Sequence, residues 1–183
     1  MSKVKAVIHG AVSIVNAIAT GKGATLGISL QVEAVIEATA GTGIYYENKE
    51  SSLSARLIRS VIEKAVPKND LQNSKITISL KSEIPSGYGL KSSSAISSIV
   101  SLACAKLFKP QINDLEVLRH GVEASIESRV SVTGAFDDAC ACYFGGFVVT
   151  DNYNQKIVKS EKASEDLLAI IFIPRSRKRG NIR

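Results

Sequence analysis

The chain has 183 residues, with 23 Lys and Arg against 17 Asp and Glu, 45% hydrophobic and 22% charged residues, and no tryptophan. That length suits one domain, or one domain and part of a second, and the apolar content excludes a disordered chain. No apolar run approaches the roughly 18–20 residues that cross a bilayer, and the N-terminus opens on an alternating pattern rather than a signal-peptide block, so a cytoplasmic protein without a membrane partner is expected.

Residues 3–18 are β-branched and partly alternating, which predicts one or two strands. Gly21, Lys22 and Gly23 break the pattern. Over residues 26–38 it resumes, with Leu26, Ile28, Leu30, Val32, Ala34, Ile36 and Ala38 on one side, as in a half-buried strand. A Gly41-Thr42-Gly43 turn leads into Ile44-Tyr45-Tyr46. Leu53, Leu57, Ile58, Val61, Ile62 and Ala65 then recur at helical spacing, and Pro67 closes that segment. Residues 75–81 alternate strictly and predict another strand. A glycine-containing loop follows, then a second helix to about Phe108.

Asp114 is placed to cap a third helix, with Leu115, Leu118, Val122 and Ile126 inward. After Gly134 three short strands are expected, over residues 143–150, 156–159 and 167–173. The order of elements lacks regular βαβ alternation and predicts an α+β fold. Three cysteines, Cys104, Cys140 and Cys142, imply no disulfide framework, and Cys140-Ala141-Cys142 lacks zinc-knuckle spacing. His9 and His120 read as structural. Five of the six net positive charges belong to Arg175, Arg177, Lys178, Arg179 and Arg183 in an acid-free tail, which leaves +1 on the rest. No broad basic face results, so no nucleic-acid partner is expected.

The segment richest in chemistry is Pro85, Ser86, Gly87, Tyr88, Gly89, Leu90, Lys91, Ser92, Ser93, Ser94 and Ala95. It follows a predicted strand and opens a helix. Its glycines let backbone approach a ligand, and its serines sit where free N–H groups and the helix dipole favour an anion. Their hydroxyls suit phosphate oxygens or a hard cation. A serine-rich cap on a glycine turn reads equally well from composition alone. The segment is neither a Walker loop, since Lys91 follows Leu90, nor a dinucleotide fingerprint, since Ser92 stands where a third glycine belongs.

The segment from Pro85 to Ala95 resembles the Pro-x-x-x-Gly-Leu-x-Ser-Ser-Ser-Ala signature of the GHMP kinases, small-molecule kinases whose loop wraps the phosphates of ATP. Glu127, then Asp138 eleven positions later, then Gly145-Gly146 repeat a spacing that is similar to that family's metal-binding Glu, catalytic Asp and Gly-Gly pair. Thr133-Gly-Ala-Phe-Asp-Asp-Ala139 and the stretch from Gly10 to Gly27 most resemble the archaeal-type shikimate kinases.

The resemblance implies a GHMP N-terminal domain, a mixed sheet packed with helices and a left-handed β-α-β phosphate loop, over residues 1–165. Residues 166–183 would begin a ferredoxin-like C-terminal domain, as its first strand and a basic tail, with the remainder absent, so that the chain reads as truncated. It implies ATP at residues 85–95, Mg²⁺ at Ser93 and Glu127, Asp138 as general base, and transfer of the γ-phosphoryl group to the 3-hydroxyl of shikimate. Lys22, Arg129 and Asp137 are candidate substrate contacts, and Ser92 or Ser94 could replace Ser93. Another small-molecule GHMP kinase, such as a homoserine kinase, and a truncated inactive nucleotide-binding domain are the alternatives.

Overall fold

A computed structural model describes residues 2–47 and 52–173; the basic tail lies outside the described residues. β1 (Ser2–Val15) and β2 (Lys22–Ala40) form a long antiparallel pair. The other edge of β2 is divided: its first residues, Lys22 to Leu26, pair with β5 (Phe147–Asp151), and residues 32–40 pair with β4 (Ser74–Ser82). β3 (Gly43–Tyr46) runs parallel to β4, and β6 (Lys156–Glu161) is antiparallel to β5. Among the described residues the strands form one mixed six-stranded sheet. Its inward residues, including Ile8, Val32, Ala34, Ile36, Ile76 and Ile78, follow the two-residue alternation.

Helices α1 (Ser52–Ala65), α3 (Ser92–Phe108), α4 (Asp114–Glu127) and α5 (Phe136–Phe144) pack with the sheet, and a short polar helix, α2 (Lys68–Asn73), leads into β4. α3 is central and touches β1, β2, α1, α4 and α5. Ala95, Ser97, Ser98, Ile99, Val100, Ser101, Ala103, Cys104 and Ala105 are all buried, so apolar and small residues run round the whole helix rather than along one stripe. Being enclosed, α3 holds its N-terminus in a fixed place at one end of the sheet.

Four expectations need correction. α4 is capped by Asn113, whose Oδ1 accepts the Glu116 N–H at 2.9 Å, and Asp114 is its first residue. Leu118 and Val122 face inward, but Leu115 and Ile126 are 36% and 46% exposed. Tyr143 and Phe144, expected to open a strand, instead end α5, and the strand begins at Phe147. Residues 167–173 form no strand; Leu168, Ile170 and Phe172 face solvent, and among the described residues no partner strand takes up their backbone groups.

Candidate active site

Two helix N-termini converge here, and each is preceded by a left-handed residue. Lys91 (φ 61°) stands ahead of α3 and Ala135 (φ 51°) ahead of α5. Non-glycine residues take that conformation at a cost of about 1 kcal/mol or more, and such strain gathers at functional sites. The first backbone bond of α3 runs from Ala95 N–H to Lys91 O at 2.9 Å, so the amides of Ser92, Ser93 and Ser94 have no acceptor within the helix. Gly87 and Gly89 have φ of 82° and 78°, which turns the loop back over this end of α3.

Gly87, Gly89, Lys91, Ser92, Ser93 and Ser94 line a hollow of about 610 Å³, closed by Ser125, Val130, Ser131, Ala135 and Asp138. Leu90 and Ala95, from the same segment, are buried in the core; Pro85, Ser86 and Tyr88 do not line the hollow. A second hollow of about 420 Å³ is lined by Ser13, Asn16, Ala17, Ile18, Val132, Thr133 and Asp137, and shares Lys91, Val130, Ser131, Ala135 and Asp138 with the first. Asp138 and Lys91 thus stand in the common wall.

Asp138 is 7% exposed. Its Oδ2 lies 3.0 Å from Lys91 Nζ, and its Oδ1 accepts from Thr25 Oγ1 at 3.2 Å and Ser13 Oγ at 3.3 Å. Burial and the neighbouring Asp137 raise its proton affinity above that of a free carboxylate, and Lys91 and Thr25 oppose them. Asp137 accepts from Thr25 Oγ1 at 3.3 Å and from Asn152 Nδ2 at 2.8 Å. A Cβ on Gly23 would run into the Asp137 carboxylate, so glycine is what lets β2 pass this close to α5.

The structure brings together Asp137, Asp138, Lys91 and the three serines. It does not bring in Glu127, Lys22 or Arg129. Glu127 accepts from Ser60 Oγ at 2.7 Å, lies 3.3 Å from Lys64 Nζ and lines a separate hollow with Arg56, Arg59, Glu63 and Ser128. The Ser60 bond, and then Lys64, hold its carboxyl below the usual range. Lys22 is bound to Asp151 at 2.6 Å, and Arg129 is exposed in a left-handed conformation (φ 58°); neither lines either hollow. Among the described residues no group of three or more His, Cys, Asp or Glu side chains could hold a metal ion. The three thiols are free and buried, with Cys104 pushed up to about 12. No helix of the described residues is long and apolar enough to cross a membrane.

Ser13, Thr25, Ser125, Ser131 and Asn152 were not legible as site residues. Thr25 offered a faint signal, a polar residue beside the inward Leu26 at the start of a strand. Asn152 offered none, since an asparagine in a turn needs no ligand to explain it.

The family of GHMP kinases N terminal domains matches residues 55–146, half of the chain, and spans the serine loop, the Asp pair and the Gly-Gly turn. The chain belongs to the GHMP kinases. Among curated relatives of this GHMP kinase chain, the shikimate kinase of Pyrococcus abyssi is 39% identical over 168 residues, covering 90% of this chain and 61% of that protein. The shikimate kinase of Methanosarcina mazei is 43% identical over 169 residues, covering 90% and 56%. The chain therefore spans about six tenths of the length of these relatives. Among solved structures, a homoserine kinase from Cytophaga hutchinsonii superposes with a TM-score of 0.71 at 18% identity, covering 87% of this chain and 52% of that one. The Methanococcus jannaschii mevalonate kinase gives 0.69 at 18%, covering 87% and 56%. At that identity the likeness shows the GHMP fold alone.

Proposed function

We propose that this chain is the ATP-binding part of a shikimate kinase, which transfers the γ-phosphoryl group of ATP to the 3-hydroxyl of shikimate in the cytoplasm. One observation carries the reading: Asp138 and Lys91 lie in the wall shared by two adjoining hollows. One hollow has the free amides and hydroxyls that suit phosphates. The other is bordered by Ser13, Asn16, Ser131 and Thr133, neutral groups that suit the hydroxyls of a polyol acceptor. The choice of shikimate among acceptors rests on the curated relatives.

Asp138 accepts the proton of the acceptor hydroxyl as its oxygen bonds to the γ-phosphorus and the bond to the ADP oxygen breaks. A raised proton affinity suits a base that must hold that proton during transfer. Lys91 opposes the rise in the Asp138 proton affinity and lines the donor hollow, where charge develops on the transferring group. The donor set fits a hard cation carried in on the nucleotide: hydroxyls at the mouth of α3, with phosphate oxygens and water completing the shell. Ser93 would hold Mg²⁺, with Ser92 and Ser94 beside it, and Glu127 could join only by leaving Ser60 and Lys64. When bound, the ion neutralises phosphate charge. Steady-state assay of ADP release with Mg·ATP and a panel of acceptor alcohols tests the reading; it expects release with shikimate and fails if only another acceptor supports it.

A further inference from the structure

α5 has no cap of its own. Ala135 occupies the N-cap position and offers no side-chain acceptor, yet the helix carries Asp137 and Asp138 in its first turn. The missing acceptor comes from a distant turn. Asn152, 6% exposed just after β5, accepts the Asp137 N–H at 3.1 Å through Oδ1. The same oxygen accepts Thr150 Oγ1 at 2.6 Å, and Asn152 Nδ2 donates to Asp137 Oδ1 at 2.8 Å. Its backbone N–H donates to Gly21 O at 2.7 Å, which ties the turn to the entry of β2. One amide therefore holds both the backbone and the carboxylate of Asp137. Thr25, buried at 0% exposure, links Asp137 to Asp138.

We propose that Asn152 is a positioning residue for phosphoryl transfer: it caps α5 from outside the helix, fixes Asp137, and so sets where the Asp138 carboxylate stands against Lys91. This rests on the reading of Asp138 as the base. Asp138 faces two charged groups, Asp137 on α5 and Lys91 ahead of α3, with hydroxyls of Ser13 on β1 and Thr25 on β2 and the neutral thiol of Cys142 on α5. Losing the Asn152 bonds frees Asp137 to move towards or away from Asp138 and changes the like charge that helps to raise the Asp138 proton affinity.

The test uses the full chain with Asn152→Ala and with the exchange Asp137→Asn/Asn152→Asp, which restores one carboxylate and one amide across the same gap. Misplacement of a reacting group by an ångström costs up to about 100-fold, so Asn152→Ala should lower kcat for shikimate-dependent ADP release by about 10- to 100-fold with KM for ATP within about threefold. Carboxyl-carbon NMR of the Asp138 signal should show its titration midpoint displaced by about half a pH unit or more. The exchange should recover about tenfold of the lost kcat. The NMR readout needs no turnover, so it stands even if the unmodified chain releases no ADP, the result that would sink the kinase reading instead. A folded Asn152→Ala chain with unchanged kcat and midpoint would overturn the proposal. If Asn152→Ala does not fold, Asn152→Ser takes its place, since it keeps a hydroxyl acceptor and the charge of Asp137 but loses the amide donor to the Asp137 carboxylate; a folded Asn152→Ser chain with a displaced midpoint supports the proposal, and one with midpoint and kcat unchanged overturns it.

Discussion

Lys91 Nζ stands 3.0 Å from Asp138 Oδ2, with the two side chains 20% and 11% exposed. Lys91 takes a left-handed conformation to start α3, and Asp138 lies in the first turn of α5. The contact therefore joins the mouths of the two helices.

Replacing Asp138 with Asn separates chemistry from binding. A general base contributes about 10²- to 10⁴-fold, so Asp138→Asn should lower kcat by that range and leave calorimetric ATP affinity within about threefold. The same variant carries a stability signature. Burial, followed by Asp137, raises the Asp138 pKa above 3.8 in the folded chain, so its contribution to stability is present below the ordinary carboxylate range and lost as pH rises through the raised value. Asp138→Asn should gain in Tm relative to wild type from acid to neutral pH, as thermal melts across that range can read. A difference that shrinks with rising pH would contradict the assignment.

Lys91→Met leaves a buried carboxylate without its cation. Breaking an enclosed pair costs about 3–5 kcal/mol, less when it is partly solvated, so denaturant melts at neutral pH should show a loss of about 2 kcal/mol. Asp138 should then titrate higher, moving the acid limb of the kcat profile to higher pH. An unmoved profile would show that Lys91 does not set the charge of Asp138.

Much of this was legible in the sequence, for physical reasons. The alternation in β2 and β4 and the helical spacing in α1 and α4 repeat often enough to outweigh local exceptions. The serine loop declares itself through glycines and hydroxyls gathered ahead of a helix. α5 was not legible because it has nine residues and its cap is supplied by Asn152, far along the chain. Residues 167–173 look like a strand in the sequence because apolar residues look alike whether a sheet takes them up or not.

Asn113 and Asp114 give a small check on local structure. The Asn113 side chain makes the cap bond to Glu116 N–H, so Asn113→Ala should cost about 1 kcal/mol and Asp114→Ala less. Urea melts that rank the two in the opposite order would return the cap to Asp114.

Gly23→Ala tests the close passage of β2 by α5. The new methyl would meet the Asp137 carboxylate, its Cγ within 2.6 Å, and overpacking of that kind costs about 1–3 kcal/mol. Both Tm and kcat should fall, since Asp137 must shift to make room. A fall in Tm alone would mean that the position of Asp137 does not matter to the chemistry.

The most direct measurement is shikimate-dependent ADP release by the 183-residue chain with Mg·ATP, run beside Asp138→Asn, with ATP binding followed calorimetrically in the same samples. Saturable release by the unmodified chain and ATP binding by both are expected, with release lost in the variant. Equal release by the two chains would contradict the placement of Asp138 as the base between donor and acceptor.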